Sequence, residues 1–339
     1  MTTTRRLGRS DIEISALGMG CWAIGGPLWG EGDGQAYGWG EVDDGESIRT
    51  VHRALDVGVT FFDTASNYGA GHSERVLGRA LAGRRDRAVI ASKFGNTFVE
   101  DTRLATGSDG SPAYVVSCLE GILRRLGTDY LDLYQLHLGD LPIPQALDLL
   151  EPLEDLVGQG KIRAYGWSTD DPERASAFAS AGPHCAAIQY DQSVLADNAA
   201  MVEVLDKHDL AGIIRGPLAM GLLTGKYHGA RDPIGADDVR GRPAGGGSGP
   251  AWLRYFTAGL ATPEWAQRVD LVRQTLTADG RTLAQGALGW LLARSPRTVP
   301  IPGCRTVGQA EENFGPLAHR PISDDAFAEV ERLLADLRQ

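Results

Sequence analysis

Ten residues organise this chain: TFFDTASNYG, at positions 60–69. The segment opens with a short β-branched and aromatic run and closes on small and polar residues. This pattern is typical of a buried strand that delivers side chains to the loop at its end. Asp63 stands at the end of the predicted strand, and Tyr68 follows in the predicted loop.

Two later segments repeat this arrangement. AVIASK, at 88–93, ends on Lys93, and YLDLYQLH, at 130–137, ends on His137. Three consecutive apolar strands are therefore each predicted to end on a titratable group. Because active-site groups of β/α barrels gather at the carboxyl ends of the strands, we expect these groups to converge, with Tyr68 within reach of them.

The remainder of the chain alternates between strand and helix patterns. Predicted strands begin near positions 17, 60, 88, 130, 162, 186, 211 and 298. Predicted helices cover positions 47–57, 73–81, 114–126, 144–158, 172–180, 199–208, 263–278, 282–294, 306–314 and 323–338. A predicted hairpin over 4–16 precedes them. The pattern predicts an α/β fold, a closed (β/α)8 TIM barrel with an N-terminal β-hairpin cap and extra C-terminal helices. An open doubly wound sheet is the alternative.

One segment, GMGCWA at 18–23, matches the glycine fingerprint of dinucleotide-binding sheets. That fingerprint requires a helix directly after the glycines. The sequence Gly25-Gly26-Pro27 cannot continue into a helix, so we interpret the match as chance.

We predict a single domain over residues 1–339. The alternation is interrupted by a Gly-rich segment at 228–253 and then resumes. Since it resumes, we predict a mobile loop insert at 228–253 rather than a domain boundary. A second long loop, from 27 to 44, is rich in glycine and aromatic residues, and we expect it to border a functional site.

Composition excludes several classes of protein. The net charge of −11 argues against binding to nucleic acid or to an anionic membrane. We find no apolar stretch long enough to span a membrane, and the N-terminal residues lack the apolar core of a signal peptide. The four cysteines are widely spaced and form no Cys-x-x-Cys pair: Cys21, Cys118, Cys185 and Cys304. We therefore expect buried free thiols, no metal site, and a reduced, cytoplasmic protein.

Asp63, Tyr68, Lys93 and His137 form a chemically complementary set. A phenol with a pKa of about 10 is a poor proton donor or acceptor at neutral pH. We expect the Lys93 ammonium to lower the pKa of Tyr68, and the Asp63 carboxylate to keep the ammonium charged and oriented. A neighbouring imidazole can hydrogen-bond and orient a carbonyl oxygen. The set suits proton transfer to an oxygen that gains negative charge, as in carbonyl reduction.

Further motifs follow in order along the chain. They are FDTA at 62–65 with Tyr68-Gly69 and Ser73-Glu74, Ser92-Lys93, Leu136-His137, GKIR at 160–163 with GWS at 166–168, Gln189-Tyr190, Pro217-Leu218 through GLLTGK at 221–226, and IPG at 301–303 with Arg305, Gln309, Glu312 and Asn313. On these motifs the chain resembles the aldo-keto reductase family over essentially its whole length. The resemblance implies the eightfold barrel with its hairpin and a catalytic tetrad of Asp63, Tyr68, Lys93 and His137. It also implies hydride transfer from NADPH to an aldehyde or ketone, with Tyr68 as the general acid.

The resemblance further implies contacts to NADPH/NADP+. The implied set is Gly20, Trp22, Asp63, Ser168, Thr169, Gln189, Arg215, Gly216, Pro217, Leu218, Lys226, Gly303, Arg305, Gln309, Glu312 and Asn313. Ser168 and Gln189 would hold the nicotinamide amide. Arg305, at the start of a short predicted helix, suits a 2′-phosphate because a guanidinium and a helix N-terminus both favour an anion.

Three positions depart from the family pattern. Arg215-Gly216 stands where the family usually has an aromatic residue stacked on the nicotinamide, and Thr169 and Asp191 each stand where asparagine is common. A guanidinium can stack on a planar ring, but its charge disfavours the cationic oxidised nicotinamide. We hypothesise that Arg215 weakens binding of NADP+ relative to NADPH. Pairing of Arg215 with a carboxylate such as Asp191 is the alternative.

The substrate implied is a small carbonyl compound, and sugars (including keto-sugars), aldehydes and aryl ketones all stay open. Aromatic residues of the predicted loops are candidate pocket residues: Trp29, Tyr37, Trp39, Phe94 and Phe98. Two other functions stay open as well. A class I aldolase would need a neutral lysine at the strand end, and a cofactor-binding regulatory barrel without significant turnover would keep the same fold.

Overall fold

Eight parallel strands form the centre of the molecule. They are β1 (Met19–Gly20), β2 (Phe61–Asp63), β3 (Val89–Phe94), β4 (Leu131–Leu136), β5 (Ile162–Ser168), β6 (Cys185–Asp191), β7 (Ala211–Arg215) and β8 (Thr298–Pro300). Each strand pairs with its neighbour in the sequence, from β1 through to β8. The computed structural model describes residues 4–32, 34–227, 233–241, 251–315 and 320–335.

The first and last strands meet, which closes the sheet into a barrel. Gly18 N donates to Pro300 O at 2.9 Å, and Gly20 N donates to Pro302 O at 3.1 Å. Both acceptors are prolines, which have no N–H to donate in return, so β1 supplies the N–H groups of these two bonds. The (β/α)8 barrel predicted from the sequence is confirmed, and the open doubly wound sheet is excluded.

Helices lie between the strands and after the last one. They are α1 (Asp44–Asp56), α2 (His72–Leu81), α3 (Pro112–Leu126), α4 (Ile143–Leu147), α5 (Leu150–Gly158), α6 (Pro172–Ala181), α7 (Ala199–His208), α8 (Pro263–Leu276), α9 (Leu283–Arg294), α10 (Val307–Phe314) and α11 (Asp324–Leu334). Side chains cap several N-termini by accepting a main-chain N–H, as Asp43, Ser111 and Asp171 do for α1, α3 and α6. Such caps fix where these helices begin.

The predicted N-terminal hairpin is present and covers one end of the barrel. Thr4–Arg6 pairs antiparallel with Glu13–Ser15. Leu7, Ile12 and Ile14 of the hairpin are buried in one apolar cluster with side chains of the barrel interior, among them Phe61, Leu133, Ile213 and Val299. This end of the barrel is filled with side chains, so a ligand can enter only from the opposite end, where the strands have their carboxyl termini.

Two predicted segments differ from the structure. The helix predicted over 144–158 is two helices, α4 and α5, because Leu149 N bonds to Ala146 O at 3.2 Å, a tighter step that interrupts the regular ladder. The Gly-rich insert predicted at 228–253 falls mostly outside the described residues. The end of the helix predicted over 323–338 lies outside them too.

The sequence pattern missed a second hairpin at the rim of the barrel. Asn96–Val99 pairs antiparallel with Leu104–Ser108, and Trp29–Gly30 pairs with the second of these strands. Another short pair joins Phe256–Thr257 to Leu260–Ala261. The rim hairpin begins directly after β3 and stands beside the open end of the barrel.

The four cysteines are buried and free, as expected. In the described part of the chain, every helix is too short or too polar to cross a membrane.

Candidate active site

The strands bring the four predicted catalytic residues to the open end of the barrel. Asp63 is the last residue of β2, Lys93 lies one residue before the end of β3, and His137 directly follows β4. Tyr68 lies in the loop after β2, where its N–H donates to Ala65 O at 3.1 Å. Three adjacent strands and one loop therefore meet at one point.

The Lys93 ammonium is the centre of this group. Its Nζ donates to Asp63 Oδ1 at 2.6 Å, to Thr64 O at 2.8 Å and to Tyr68 Oη at 3.2 Å. The Lys93 side chain has no exposed surface. An ammonium has three N–H donors, and all three are used, so the buried charge is fully hydrogen-bonded.

The Asp63 carboxylate is equally well satisfied. While Oδ1 accepts from Lys93, Oδ2 accepts from Gln135 Nε2 at 3.1 Å and Gln189 Nε2 at 2.8 Å. The two amides come from two other barrel strands, β4 and β6. A buried ion pair is stable only when its remaining polar atoms are bonded, and the two glutamines meet this condition.

Both Lys93 and Tyr68 have pKa values raised above their ordinary values. Burial alone would lower the pKa of Lys93, but Asp63 and Tyr68 outweigh burial, and the pKa is raised. Burial raises the pKa of Tyr68, and the Lys93 ammonium offsets this only in part. The net lowering of the Tyr68 pKa expected from the sequence is therefore wrong, because it left out the cost of burying a phenolate.

His137 is held in its neutral form. Burial lowers the pKa of its imidazole well below the ordinary value, and the charges of Lys93 and Arg215 lower it further. The ring stands edge-on to Tyr68, with 6.0 Å between the ring centroids. A neutral imidazole and a protonated phenol together offer two donors, one N–H and one O–H, to an oxygen placed between them.

A cleft of about 690 Å³ leads away from Tyr68 and His137. Its walls include every residue of the implied cofactor set except Thr169: Gly20, Trp22, Asp63, Ser168, Gln189, Arg215, Gly216, Pro217, Leu218, Lys226, Gly303, Arg305, Gln309, Glu312 and Asn313. Thr169 is not among the lining residues, and its Oγ1 donates to Gly139 O at 2.8 Å. Lys93 is the one tetrad member fully buried behind them.

Two basic side chains of the cleft fit a dinucleotide phosphate. Lys226 and Arg305 both line the cleft, and neither forms an ion pair with a carboxylate of the described residues. The Arg305 guanidinium donates to two main-chain carbonyls, those of Trp39 (2.6 Å) and Glu41. These bonds orient the group without neutralising its charge, which leaves two cations facing the cleft.

Comparison with known proteins agrees with this geometry. The family model described as "Aldo/keto reductase family" matches residues 16–335. The chain belongs to this family. It is an NADP-dependent oxidoreductase of this family, and this assignment, together with the charged Lys93, excludes the class I aldolase.

The reductase is similar to three known proteins over most of its length. The aldo-keto reductase YhdN of Bacillus subtilis is 31% identical over 305 residues, covering 89% of this chain and 85% of that protein. The glycerol dehydrogenase AKR11B4 from Gluconobacter oxydans superposes with a TM-score of 0.79 at 30% identity, covering 99% of this chain and 96% of the other. An aldo-keto reductase from Klebsiella pneumoniae, solved in complex with NADPH, gives a TM-score of 0.68 at 25% identity, covering 98% and 95%.

Arg215 of the reductase does pair with a carboxylate, but not with the one named above. Its guanidinium binds Asp170, whose Oδ1 also accepts from Asp191 N at 2.7 Å. The Asp191 carboxylate instead binds Arg254 Nη2 at 2.9 Å. Asp191, for which the sequence offered no explanation, therefore helps to hold Asp170 in place and neutralises a second arginine.

Some cleft residues of the reductase were not predicted, and some predicted residues lie elsewhere. Sequence reasoning missed Asn67, Asn96, Tyr227, Arg240 and Trp252, while Tyr37 and Trp39 line the cleft as expected. Trp29, Phe94 and Phe98 are absent from its walls. Phe94, for example, is buried and packs against Tyr134, with 4.6 Å between the two ring centroids.

Arg240 of the reductase contacts residues from several separate segments that line the cleft. Its guanidinium pairs with Asp238 at 2.7 Å, donates to Tyr227 Oη at 2.7 Å and to Met220 O at 3.1 Å, and lies 4.6 Å above the Trp39 ring. Tyr227, Met220 and Trp39 all line the cleft, as Arg240 does. No local signal marks Arg240 in the sequence, since its contacts are all remote or within an irregular loop.

Proposed function

We propose that the reductase transfers a hydride from NADPH to the carbonyl carbon of an aldehyde or ketone, with Tyr68 as the proton donor. One observation supports this most directly: Lys93 Nζ lies 3.2 Å from Tyr68 Oη and is itself fixed by Asp63 at 2.6 Å. Charge placed in this way stabilises a phenolate as it forms, which is what an acid of high pKa needs in order to donate.

NADPH is the cofactor, and when bound it supplies the hydride. The Klebsiella relative with NADPH supports this choice, and so do the cations of this chain. Lys226 would hold the diphosphate and Arg305 the 2′-phosphate. Arg305 N also donates to Gln309 Oε1 at 2.7 Å, so the amide of Gln309 would lie near the group that Arg305 holds.

The nicotinamide end is formed by groups of the barrel mouth. Ser168, the last residue of β5, and Gln189, near the end of β6, would bind the carboxamide. Gln189 Nε2 donates to Asp63 at 2.8 Å, which turns Oε1 of the same amide into the acceptor for an amide N–H. Gly20 at the end of β1 and Trp22 just after it line the cleft and would border the ribose.

The reacting oxygen is held between two donors. Tyr68 Oη and a ring N–H of His137 bind the carbonyl oxygen, which orients its carbon toward the cofactor and stabilises the negative charge that develops. As the oxygen becomes an alkoxide, the O–H bond of Tyr68 breaks and its proton moves to that oxygen. The resulting phenolate is neutralised by the Lys93 ammonium, while Asp63 keeps Lys93 in place.

NADPH consumption with a panel of aldehydes, ketones and keto-sugars tests the proposal, with NADH measured beside it. We expect turnover in the wild-type protein and a loss of about 10²–10⁴ in kcat for Tyr68→Phe, the contribution typical of a general acid. NADPH binding, followed by quenching of tryptophan fluorescence, should persist in the variant because the aromatic ring remains. If Tyr68→Phe reduced the same substrates as fast as wild type, a regulatory barrel that binds cofactor would explain the fold better.

A further inference from the structure

We propose that Arg305 is a positioning residue for the substrate: it holds Trp39, and through Trp39 the aromatic surface beside Tyr68, in addition to the 2′-phosphate. The inference rests on the function proposed above, since it gives this arginine a second part in the same reaction. It follows from the hydrogen bonds of Arg305, from the ring contacts that join Trp39 to Tyr68, and from the other contacts that hold Trp39.

Arg305, which precedes α10, is bonded to the loop that precedes α1. Its Nη1 donates to Trp39 O at 2.6 Å, and its Nη2 donates to Glu41 O. A guanidinium is a rigid, planar fork, so two of its nitrogen atoms fix two carbonyls of the loop at once. A lysine ammonium is a single point of charge on a flexible stem and would lose this two-point geometry.

The same guanidinium keeps donors for an anion. It has five N–H groups, and the two carbonyls take one from each Nη. The other three have no acceptor in the part of the chain that the structure describes, and Arg305 lines the cleft. A phosphate can therefore bind Arg305 without displacing the loop, so the two tasks do not compete.

Trp39 is linked to the proton donor through Trp22. The rings of Trp39 and Trp22 meet edge to face, with 5.2 Å between their centroids. The Trp22 ring in turn stacks on the Tyr68 ring at 5.9 Å. All three residues line the cleft. Because aromatic pairs depend on their mutual geometry, a displacement of Trp39 changes the surface that a substrate meets beside Tyr68.

The side chain of Trp39 has no polar anchor of its own. Its indole Nε1 is buried without a hydrogen-bond partner among the described residues. Trp39 pairs with Asp238 in an isolated β-bridge, and the Arg240 guanidinium lies 4.6 Å from the centroid of its ring. Two supports therefore hold Trp39, the segment 238–240 and Arg305. Loss of either support should let this irregular part of the loop move.

Loss of the Arg305 bonds should weaken substrate binding rather than slow the chemical step. Tyr68 and Lys93 keep their own hydrogen bond of 3.2 Å, and Lys93 keeps Asp63 at 2.6 Å. A displaced Trp39 should therefore raise KM for the carbonyl substrate and leave kcat nearly unchanged. One hydrogen bond of ordinary strength corresponds to about a fivefold change in an equilibrium constant.

The test compares Arg305→Lys with wild type at saturating NADPH, with benzaldehyde and with butanal as substrates. Lysine keeps a cation for the 2′-phosphate but loses the two-point bond to the loop. We expect KM for both aldehydes to rise about fivefold at nearly unchanged kcat. Arg53→Lys is the matched control, because Arg53 Nε donates to Glu311 of α10 at 3.0 Å. It should leave both KM values unchanged.

A double-mutant cycle tests whether Arg305 acts through Trp39. In the Trp39→Ala background, Arg305→Lys should raise KM no further, because the side chain that it positions is gone. Near-UV circular dichroism of the cofactor-free protein gives a readout that does not depend on turnover. Arg305→Lys should reduce the tryptophan signal of wild type, and the same substitution in Trp39→Ala should change the signal no further.

The outcomes separate this inference from the proposed function. Unchanged KM values and an unchanged near-UV spectrum in Arg305→Lys overturn the positioning role and leave carbonyl reduction standing. An equal rise in KM with and without the Trp39 side chain, or in Arg53→Lys as well, overturns the path through Trp39. Failure of wild type to reduce any aldehyde or ketone overturns the proposed function, while the near-UV comparison still tests whether Arg305 holds Trp39.

Discussion

Tyr68 is a weaker acid in this protein than in water, although it is placed to donate a proton. Burial raises its pKa, and Lys93 offsets this only in part. The high pKa keeps the phenol protonated at neutral pH, so the acid form is always present. Lys93 acts when the proton leaves, because a phenolate 3.2 Å from a buried ammonium is better stabilised than a phenolate buried to the same degree without one. Burial of Tyr68 thus keeps the phenol protonated before the transfer, and pairing with Lys93 stabilises the phenolate after it.

Removing one member of the buried ion pair should destabilise the fold. Lys93→Met leaves the Asp63 carboxylate buried with only two amide donors, and we expect a loss of roughly 3–5 kcal/mol in the free energy of unfolding. The double variant Asp63→Asn, Lys93→Met removes both charges and should be clearly more stable than Lys93→Met alone. Denaturant titration of the three proteins measures this, and equal losses in the single and double variants would contradict it.

The pH dependence follows from the directions of two pKa shifts. Reduction needs neutral His137, present above its lowered pKa, and protonated Tyr68, present below its raised pKa. We therefore expect kcat/KM to be flat through pH 6.5, the ordinary pKa of histidine, and to fall only above pH 10, that of tyrosine. An inflection near pH 6.5 that disappears in His137→Gln would show that the imidazole titrates normally.

The same shift of His137 bears on stability. Below pH 6.5 the unfolded chain binds a proton that the folded imidazole refuses, so stability falls as pH falls through this value.

Single residues were predictable where a strand end fixes them. Asp63, Lys93 and His137 follow apolar runs whose carboxyl ends meet by topology, and the structure brings them together. Asn67 also follows β2 and lines the cleft, but a single asparagine in a loop has no distinctive sequence pattern. Arg240 could not be predicted from the sequence, because its contact with the Trp39 ring and its hydrogen bond to Met220 O depend on how separate loops pack.

At the scale of elements, the N-terminal hairpin depends on a tight approach to the barrel. Gly8 lies in its turn at φ 54°, and a Cβ there would stand 2.0 Å from Ala186 O. Gly8→Ala should cost about 1–3 kcal/mol more than Gly160→Ala, because overpacking adds to the backbone strain that both share. Gly160 has φ 70° with open space around its Cβ position. Equal thermal midpoints for the two variants would show that the turn can move away from β6.

The sequence pattern predicts best those elements that bury either one face or all of their side chains over many residues. The eight barrel strands and most helices were predicted within a few residues of their bounds. The rim hairpin was missed because its strands, Asn96–Val99 and Leu104–Ser108, are partly exposed and mix polar with apolar residues. The break between α4 and α5 was missed for a related reason, since both sides of the break keep the same apolar spacing.

At the scale of the whole molecule, closure of the barrel joins the two ends of the chain. Residues 18–20 bond to residues 300–302, and α11 packs back on α9, where Trp290 stacks on Phe327 at 5.7 Å and donates to Glu331 at 3.1 Å. The hairpin fills the barrel interior from the other side. The single domain over residues 1–339 stays a prediction, which a change at this junction can test.

If the chain is one domain, a destabilising change at the seam, the junction of β1 and β8, should lower the stability of the whole chain. A Cβ at Gly20 would lie 2.7 Å from the main-chain oxygen of Ile301, which cannot move aside as a side chain can. We expect Gly20→Ala to lower the free energy of unfolding by about 1–3 kcal/mol, shifting the transitions seen by far-UV circular dichroism and by tryptophan fluorescence together. Gly303→Ala, on the same seam but with its nearest contact at 3.4 Å, should change little. A shift in one signal without the other would show that the barrel unfolds as separate units.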